Sequence, residues 1–402
     1  MLFRSVSLFS SIIFLTRNFA AGSLLQQEDI APRGSESSLK EGVARAQGEI
    51  AITTADHGKM LVDWIRSKGG FFNPKLEIRK ADPSDPNSFY GMFANEEIEE
   101  DGVLMQIPRD YFVTSELDDP DWICNTTRNL VREIKLGDSS RVGPYVNYLK
   151  DQPRGQLPSS WSEKGRSLLL KVTGGSSDDQ IIPPKGPVDR LNWWKSECDG
   201  GDDEFEQHVF LMVMQRGWDD ILIPVFDMMN HRNGKWLNTK ETSVYDEDQP
   251  DVVVKARKHI QAGDEIYTSY DECEDCVGRA DTYGTPDILR DYGFVEIFPQ
   301  KWIFEDQEVA FKLDENEEGE LELEWISDEA DEEDLKFFDE QIKRLQDLWD
   351  DELSHSHEKI PENEIRTIQG FAKASIRAME AMRDFVRGDM ARDASEGTCG
   401  VS

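Results

Sequence analysis

The sequence predicts an α+β fold, in which a set of strands is interrupted by a helical insertion and followed by a helical C-terminal lobe. Three observations lead there. Strand-like stretches separated by turn residues cluster near 87–108 and again near 251–270. Between them, from about 115 to 220, the pattern is helical with long polar loops. Beyond about residue 301 the chain turns acidic and ends in two long amphipathic patterns.

The N-terminal segment stands apart. A basic residue, Arg4, precedes an apolar run from Val6 to Leu15, and small residues follow at Ala20, Ala21 and Gly22. This is the layout of a cleavable signal peptide over residues 1–22. The run is about 10 residues long, short of the roughly 20 that span a bilayer. A secretory destination follows, or a plastid in an alga with complex plastids; if the segment is not a signal, the cytoplasm. No later stretch reads as a membrane span. Residues 23–55 are rich in Ser, Gln, Gly, Ala and Glu without periodicity, and read as a disordered linker.

The folded part is expected over 56–300. It opens with a helix that places Met60, Leu61, Trp64 and Ile65 on one face and stops at Gly69-Gly70. "NSFYGMFANEEIEEDGVLMQIPRD" reads as two short strands around Asp101-Gly102. "DEFEQHVFLMVMQRGW" is the clearest helix of the insertion, with Phe205, Val209, Met212 and Val213 at helical spacing. "DVVVKA" and "EIYTSY" are strand-like, and "DILRDYGFVE" is a short helix entering a turn. In the lobe, 301–402, acids outnumber bases by roughly four to one as far as 360. Two helices are expected near 331–354 and 361–388, packed as an antiparallel pair.

Composition narrows the function. The 402 residues carry a formal net charge of -36, with 38% hydrophobic and 10% aromatic residues. A surface so acidic excludes nucleic acid as the expected partner and suits a basic protein. Five cysteines are too few for a disulfide-built scaffold. Cys273 and Cys276 have metal-like spacing, but no second CxxC or HxxxH accompanies them.

The stretch "FDMMNHRNG" sets Asp227, Asn230 and His231 among apolar neighbours. One imidazole and one carboxylate are too few for a metal, and there is no GxSxG or catalytic-cysteine signature to employ the histidine. Read alone, these residues are a buried polar knot.

Four segments in order change that reading: "YGMFANEEIEEDGVLMQIPRDYFVT", "FDMMNHRNG", "AGDEIYTSYD" and "LRDYGFVE". Together they resemble the SET-domain protein methyltransferases, and within them the subgroup typified by the Rubisco large-subunit methyltransferase. "YVNYLKDQP" and "SSWSEKG" resemble landmarks of that subgroup's helical insertion. The resemblance covers about 75 to 300. It implies S-adenosyl-L-methionine as cofactor, bound by Asn230, His231, Arg216 and the loop at Tyr90 and Gly91, with no metal. It makes Tyr270 the active-site tyrosine, Tyr292 and Phe294 the walls of the substrate channel, and Asp227 a residue at the pocket edge. The family's first cofactor loop carries two glycines around one residue; here Phe89 stands in place of the first. The implied activity is N-methylation of a lysine on a non-histone protein substrate. Histidine methylation, or a catalytically silent module that binds protein through its acidic lobe, are the alternatives.

Overall fold

The computed structural model describes residues 54–84, 88–115, 122–176, 179–185, 188–218, 221–242, 251–271, 283–327, 330–355 and 359–396. The signal-like segment, almost all of the linker, and Cys273, Cys276 and Cys399 lie outside the described residues. Helix α1 (Thr54–Ser67) already begins within the stretch read as linker. Leu61 and Ile65 are buried on it, whereas Met60 is 48% exposed, so the apolar face is narrower than the pattern suggested.

Four strands follow: β1 (Phe71–Phe72), β2 (Leu76–Lys80), β3 (Tyr90–Ala94) and β4 (Val103–Pro108). The two strands expected around Asp101-Gly102 both form, but they do not pair with each other. β3 pairs with β2 and β4 with β1, both antiparallel. Ile98 bridges to Ile260 instead, and the turn at Glu99–Gly102 swings β4 into another sheet.

The insertion holds α2 (Trp122–Leu136), α3 (Gly143–Lys150), α4 (Glu163–Thr173), α5 (Arg190–Ser196) and α6 (Glu204–Arg216). Asp203 caps α6 by accepting from the backbone N–H groups of Phe205 and Glu206. A disulfide joins Cys124 on α2 to Cys198 just after α5, across 74 residues of chain. It ties α2 to the segment that follows α5.

The chain then returns to the strands. β5 (Asn230–His231), β6 (Thr239–Glu241), β7 (Asp251–Ala256) and β8 (Tyr267–Thr268) are short. β7 lies between β4 and β6 in an antiparallel sheet of order β1-β4-β7-β6. β5 and β8 form a parallel pair, Asn230 opposite Tyr267 and His231 opposite Thr268. The residues just before β8 bond in turn to β3, Ile266 N–H donating to the Met92 carbonyl. Three distant segments are thereby laced together at one place. Helix α7 (Thr285–Tyr292) ends there too. Its C-terminal Gly293 has φ +86°, and a Cβ would lie 2.3 Å from the Gln156 carbonyl oxygen. Both conformation and space demand glycine.

The C-terminal lobe departs from the all-helical expectation. It opens with an antiparallel sheet of β9 (Gln300–Phe304), β10 (Val309–Glu315) and β11 (Leu321–Trp325). Only then come α8 (Glu332–Leu348) and α9 (Glu362–Glu396), which pack on each other. Two hydrophobic cores result. One gathers α1, β4, β7, α2, α3 and α6 around Leu104, Tyr145 and Phe210. The other gathers the lobe around Trp302, Phe311 and Phe371, and also takes Leu168, Leu169 and Val172 of α4. The insertion therefore contributes one helix to the lobe. A small aromatic cluster of Tyr283, Ile288 and Tyr292, with Tyr270 and Phe294 against it, forms a third unit.

Candidate active site

The sharp turn leading into β5 is strained. Val225, a buried β-branched residue, holds φ +70° and ψ -39°. Such a conformation costs about 1–3 kcal/mol and must be enforced by its surroundings. It delivers Asp227 into the interior beneath α3 and α6. The Asp227 Oδ2 accepts from the Tyr145 hydroxyl at 2.9 Å and from Arg216 Nη1 at 3.2 Å. Arg216 ends α6. Its Nη1 also donates to the Tyr148 hydroxyl at 2.8 Å and its Nη2 to Gln152 Oε1, with the guanidinium 5.2 Å from the Tyr148 ring centre. Burial raises the Asp227 carboxyl above its ordinary range, although Arg216 pulls the other way. Burial also pushes the Tyr148 hydroxyl up to about 12, so it remains protonated.

This pair is incompletely satisfied. Arg216 Nε and Asp227 Oδ1 are buried and have no hydrogen-bond partner. A buried donor or acceptor without a partner costs about 1–3 kcal/mol, so two of opposite kind side by side call for an explanation.

Asn230 sits beside β3. Its Nδ2 donates to the Tyr90 carbonyl at 2.9 Å and to Glu265 Oε1 at 2.6 Å. The Tyr267 hydroxyl donates to the other oxygen of Glu265 at 2.7 Å. Gly91 faces this carboxylate: a Cβ there would lie 2.2 Å from Glu265 Oε1 and 2.9 Å from Asn230 Nδ2. Glycine at 91 is thus required by the close approach of Glu265. Phe89, by contrast, is 58% exposed and lacks a positive φ, so glycine is not demanded at 89 by the backbone.

His231 is enclosed, its side chain 2% exposed. Nδ1 accepts from the Tyr270 backbone N–H at 2.9 Å, so the ring proton resides on Nε2 and is donated to Glu296 Oε1 at 2.6 Å. The imidazole therefore turns toward Tyr270 and Glu296, and both of its nitrogens are engaged within the protein. Tyr270 donates its hydroxyl to the Met229 carbonyl at 2.7 Å. Its ring centre is 4.6 Å from that of Tyr292, 5.0 Å from His231 and 6.4 Å from Phe294. Burial first, and Tyr292 next, raise the Tyr270 hydroxyl above its usual range, so this group acts as a neutral hydrogen-bond donor and not as a base. Gln215 Nε2 donates to the Tyr292 carbonyl at 3.1 Å, tying the end of α6 to the end of α7.

Beside Tyr292 opens a cleft of about 450 Å³. Ile123, Met214 and Tyr292 supply its apolar lining; Trp193, Ser196 and Glu197 stand on α5 and just beyond it. Its walls are fixed by the Cys124–Cys198 disulfide and by a bidentate Arg190–Asp291 pair at 2.7 and 2.9 Å. Burial opposes the charge on Asp291, but Arg290 and Arg190 outweigh it and hold the carboxyl far below its usual range.

The residues singled out in the sequence thus fall into three adjoining groups: Arg216 with Asp227; Asn230 with Tyr90 and Gly91; and His231 with Tyr270, Tyr292 and Phe294. Sequence reasoning passed over Tyr145, Tyr148, Gln152, Glu265 and Glu296. Tyr145 and Tyr148 are three apart in a helical stretch, which places both on one face. Glu296 is an acid inside an otherwise apolar run, "FVEIF", a signal available but not taken. Among the described residues, His231, Asp271 and Glu296 are the one group whose ligand atoms lie close enough for a metal ion, within 4.8 Å of one another.

Residues 90–271 match the family model of the SET domain. Among solved structures, Rubisco LSMT bound to AdoMet is similar over 83% of this chain and 92% of that one, at 12% identity and a TM-score of 0.47. The SET domain of LSMT bound to lysine and AdoHcy is similar over 84% and 92%, also at 12% identity and 0.47. No curated protein matches the chain.

Proposed function

Starting from the SET domain that this chain carries over residues 90–271, we propose that it is an S-adenosylmethionine-dependent methyltransferase acting on a lysine of a non-histone protein. The observation that carries the reading is the unsatisfied pair at the end of α6. A free amino-acid group is a zwitterion, and Arg216 Nε with Asp227 Oδ1 offers one donor and one acceptor for its two ends. The methionyl end of the cofactor is such a group. The laced strands bring Tyr90, Gly91, Asn230 and His231 together beside it.

When bound, S-adenosylmethionine supplies an electrophilic methyl group on a sulfonium. The protein's part is to present a neutral amine in line with it. In this reading Tyr292 and Phe294, which follow the matched span and pack around Tyr270, are the aromatic walls beside which the ammonium form of a lysine is disfavoured by lost hydration. Ring faces stabilise the cationic centre before and after transfer. Tyr270, packed against Tyr292, fixes the Met229 carbonyl through its hydroxyl. The cleft beside Tyr292 suits the residues flanking the target lysine, which favours a protein substrate over a free amino acid. Acids at its rim and throughout the lobe favour a basic one.

Calorimetric titration of the purified chain with S-adenosylhomocysteine tests the cofactor half of this reading. A saturable one-site heat is expected. Arg216→Lys keeps a cation beside Asp227 but removes the forked donors, and should weaken binding by about tenfold or more. No heat from the wild type rejects the reading; equal affinities reject the role given to Arg216.

A further inference from the structure

We propose that Glu296 is a positioning residue for methyl transfer, holding Tyr270 in place through the imidazole of His231. The inference rests on the methyltransferase reading above and concerns the same site.

Four bonds make the chain of contacts. Thr285, at the start of α7, donates its hydroxyl to one oxygen of Glu296. The other oxygen accepts from His231 Nε2 at 2.6 Å. His231 Nδ1 accepts from the Tyr270 backbone N–H at 2.9 Å. The Tyr270 hydroxyl reaches the Met229 carbonyl at 2.7 Å. Glu296 and His231 are both 2% exposed at the side chain, so neither bond competes with water. Buried in this way, a wrongly placed imidazole proton leaves a donor or an acceptor unsatisfied, and each such fault costs about 1–3 kcal/mol. The carboxylate selects the tautomer that can accept from Tyr270.

The neighbouring charges are separately accounted for. Asp271 Oδ1 is 4.0 Å from His231 Nε2 and takes hydrogen bonds from Asn233 and Ser269 instead. Lys301 Nζ stands 3.4 Å from Asp271 Oδ2. An ammonium already provides the positive charge that a metal would bring to these acids, and Nε2 is engaged with Glu296. The geometry therefore favours a hydrogen-bonded relay over a metal centre.

The relay also links the site to the lobe. Glu296 lies between Phe294, in the channel wall, and β9, whose first residue Gln300 donates to the Glu296 carbonyl at 2.7 Å. Displacement at the start of the lobe would be passed to Tyr270 through two bonds. A shift of about 1 Å in a reacting group can cost 10²-fold in rate.

The test compares Glu296→Ala, Glu296→Asp and Glu296→Gln. Hydrogen exchange of the Tyr270 amide reports the relay without reference to activity, and the rate of methyl transfer from tritiated S-adenosylmethionine into a protein extract of its source reports its consequence. Ala removes the acceptor, and Asp, one methylene shorter, no longer reaches Nε2. Both should expose the Tyr270 amide to exchange and lower the transfer rate by about 10- to 100-fold, with the cofactor Kd within about threefold of wild type. Gln retains the acceptor oxygen and should restore amide protection and most of the transfer rate. If Ala fails to fold, the Asp–Gln contrast decides. Folded Asp or Ala variants with a protected Tyr270 amide and a wild-type transfer rate overturn the proposal. A wild-type chain that transfers no methyl overturns the functional reading itself, and is recognised before any variant is compared.

Discussion

Arg216→Met is expected to lower the free energy of unfolding by about 3–5 kcal/mol, because it leaves the Asp227 carboxylate buried without its counter-ion. Tyr145 remains as a hydrogen-bond donor but carries no charge. The deficit should depend on pH. Burial already holds the Asp227 carboxyl above its ordinary range, and without the guanidinium it rises further. The charged form is then the destabilised one, so the loss is greatest above the folded-state pKa. It shrinks as the pH falls through that value and Asp227 takes up a proton. Denaturant melts of variant and wild type near pH 8 and near pH 5 measure it. Adding Asp227→Asn should recover part of the stability but not the cofactor affinity, since the guanidinium donor and the carboxylate charge offered to the zwitterion are both gone. A deficit below about 1 kcal/mol, the range of an exposed pair, would mean that the pair is not the buried ion pair described here.

Tyr270→Phe should lower kcat by about 10²-fold or more while leaving cofactor affinity nearly unchanged, as expected for an interaction that matters mainly in the transition state. The fold should survive, at a cost of about 1–3 kcal/mol for the buried Met229 carbonyl left without this donor. The ring keeps its contacts with His231, Tyr292 and Phe294, and its backbone N–H still bonds to His231. What is lost is the hydroxyl that fixes the Met229 carbonyl. Because burial keeps that hydroxyl protonated, the loss should be similar at every pH where the enzyme is folded. A kcat unchanged within a factor of about two would make Tyr270 a packing residue.

Much of this arrangement was legible in the sequence, for identifiable reasons. Helix α6 announced itself by apolar spacing, and so the position of Arg216 at its end could be read. Gly293 follows the last turn of α7 because a left-handed residue ends it. The last of the lobe's three strands was obscured by charge. "ELELEW" alternates perfectly, and Leu321, Leu323 and Trp325 are indeed strand residues, but their glutamates gave the stretch the look of a solvated acidic run. The attachment of α4 to the lobe core could not be read at all, since a local apolar pattern does not say which of two cores will receive it. His231 shows the same limit within the site. Its neighbourhood in the chain pointed to a ligand, but only the fold brings Glu296 from 65 residues away to its Nε2.

Transfer of label from S-adenosylmethionine carrying a tritiated methyl group tests the central claim most directly. The purified chain is incubated with a protein extract of its source, beside the Tyr270→Phe variant, and the labelled protein is hydrolysed to amino acids. The account predicts label in protein, recovered as methylated lysine, and strongly reduced with the variant. Label no greater than with the variant, or recovered as methylated histidine, would contradict it.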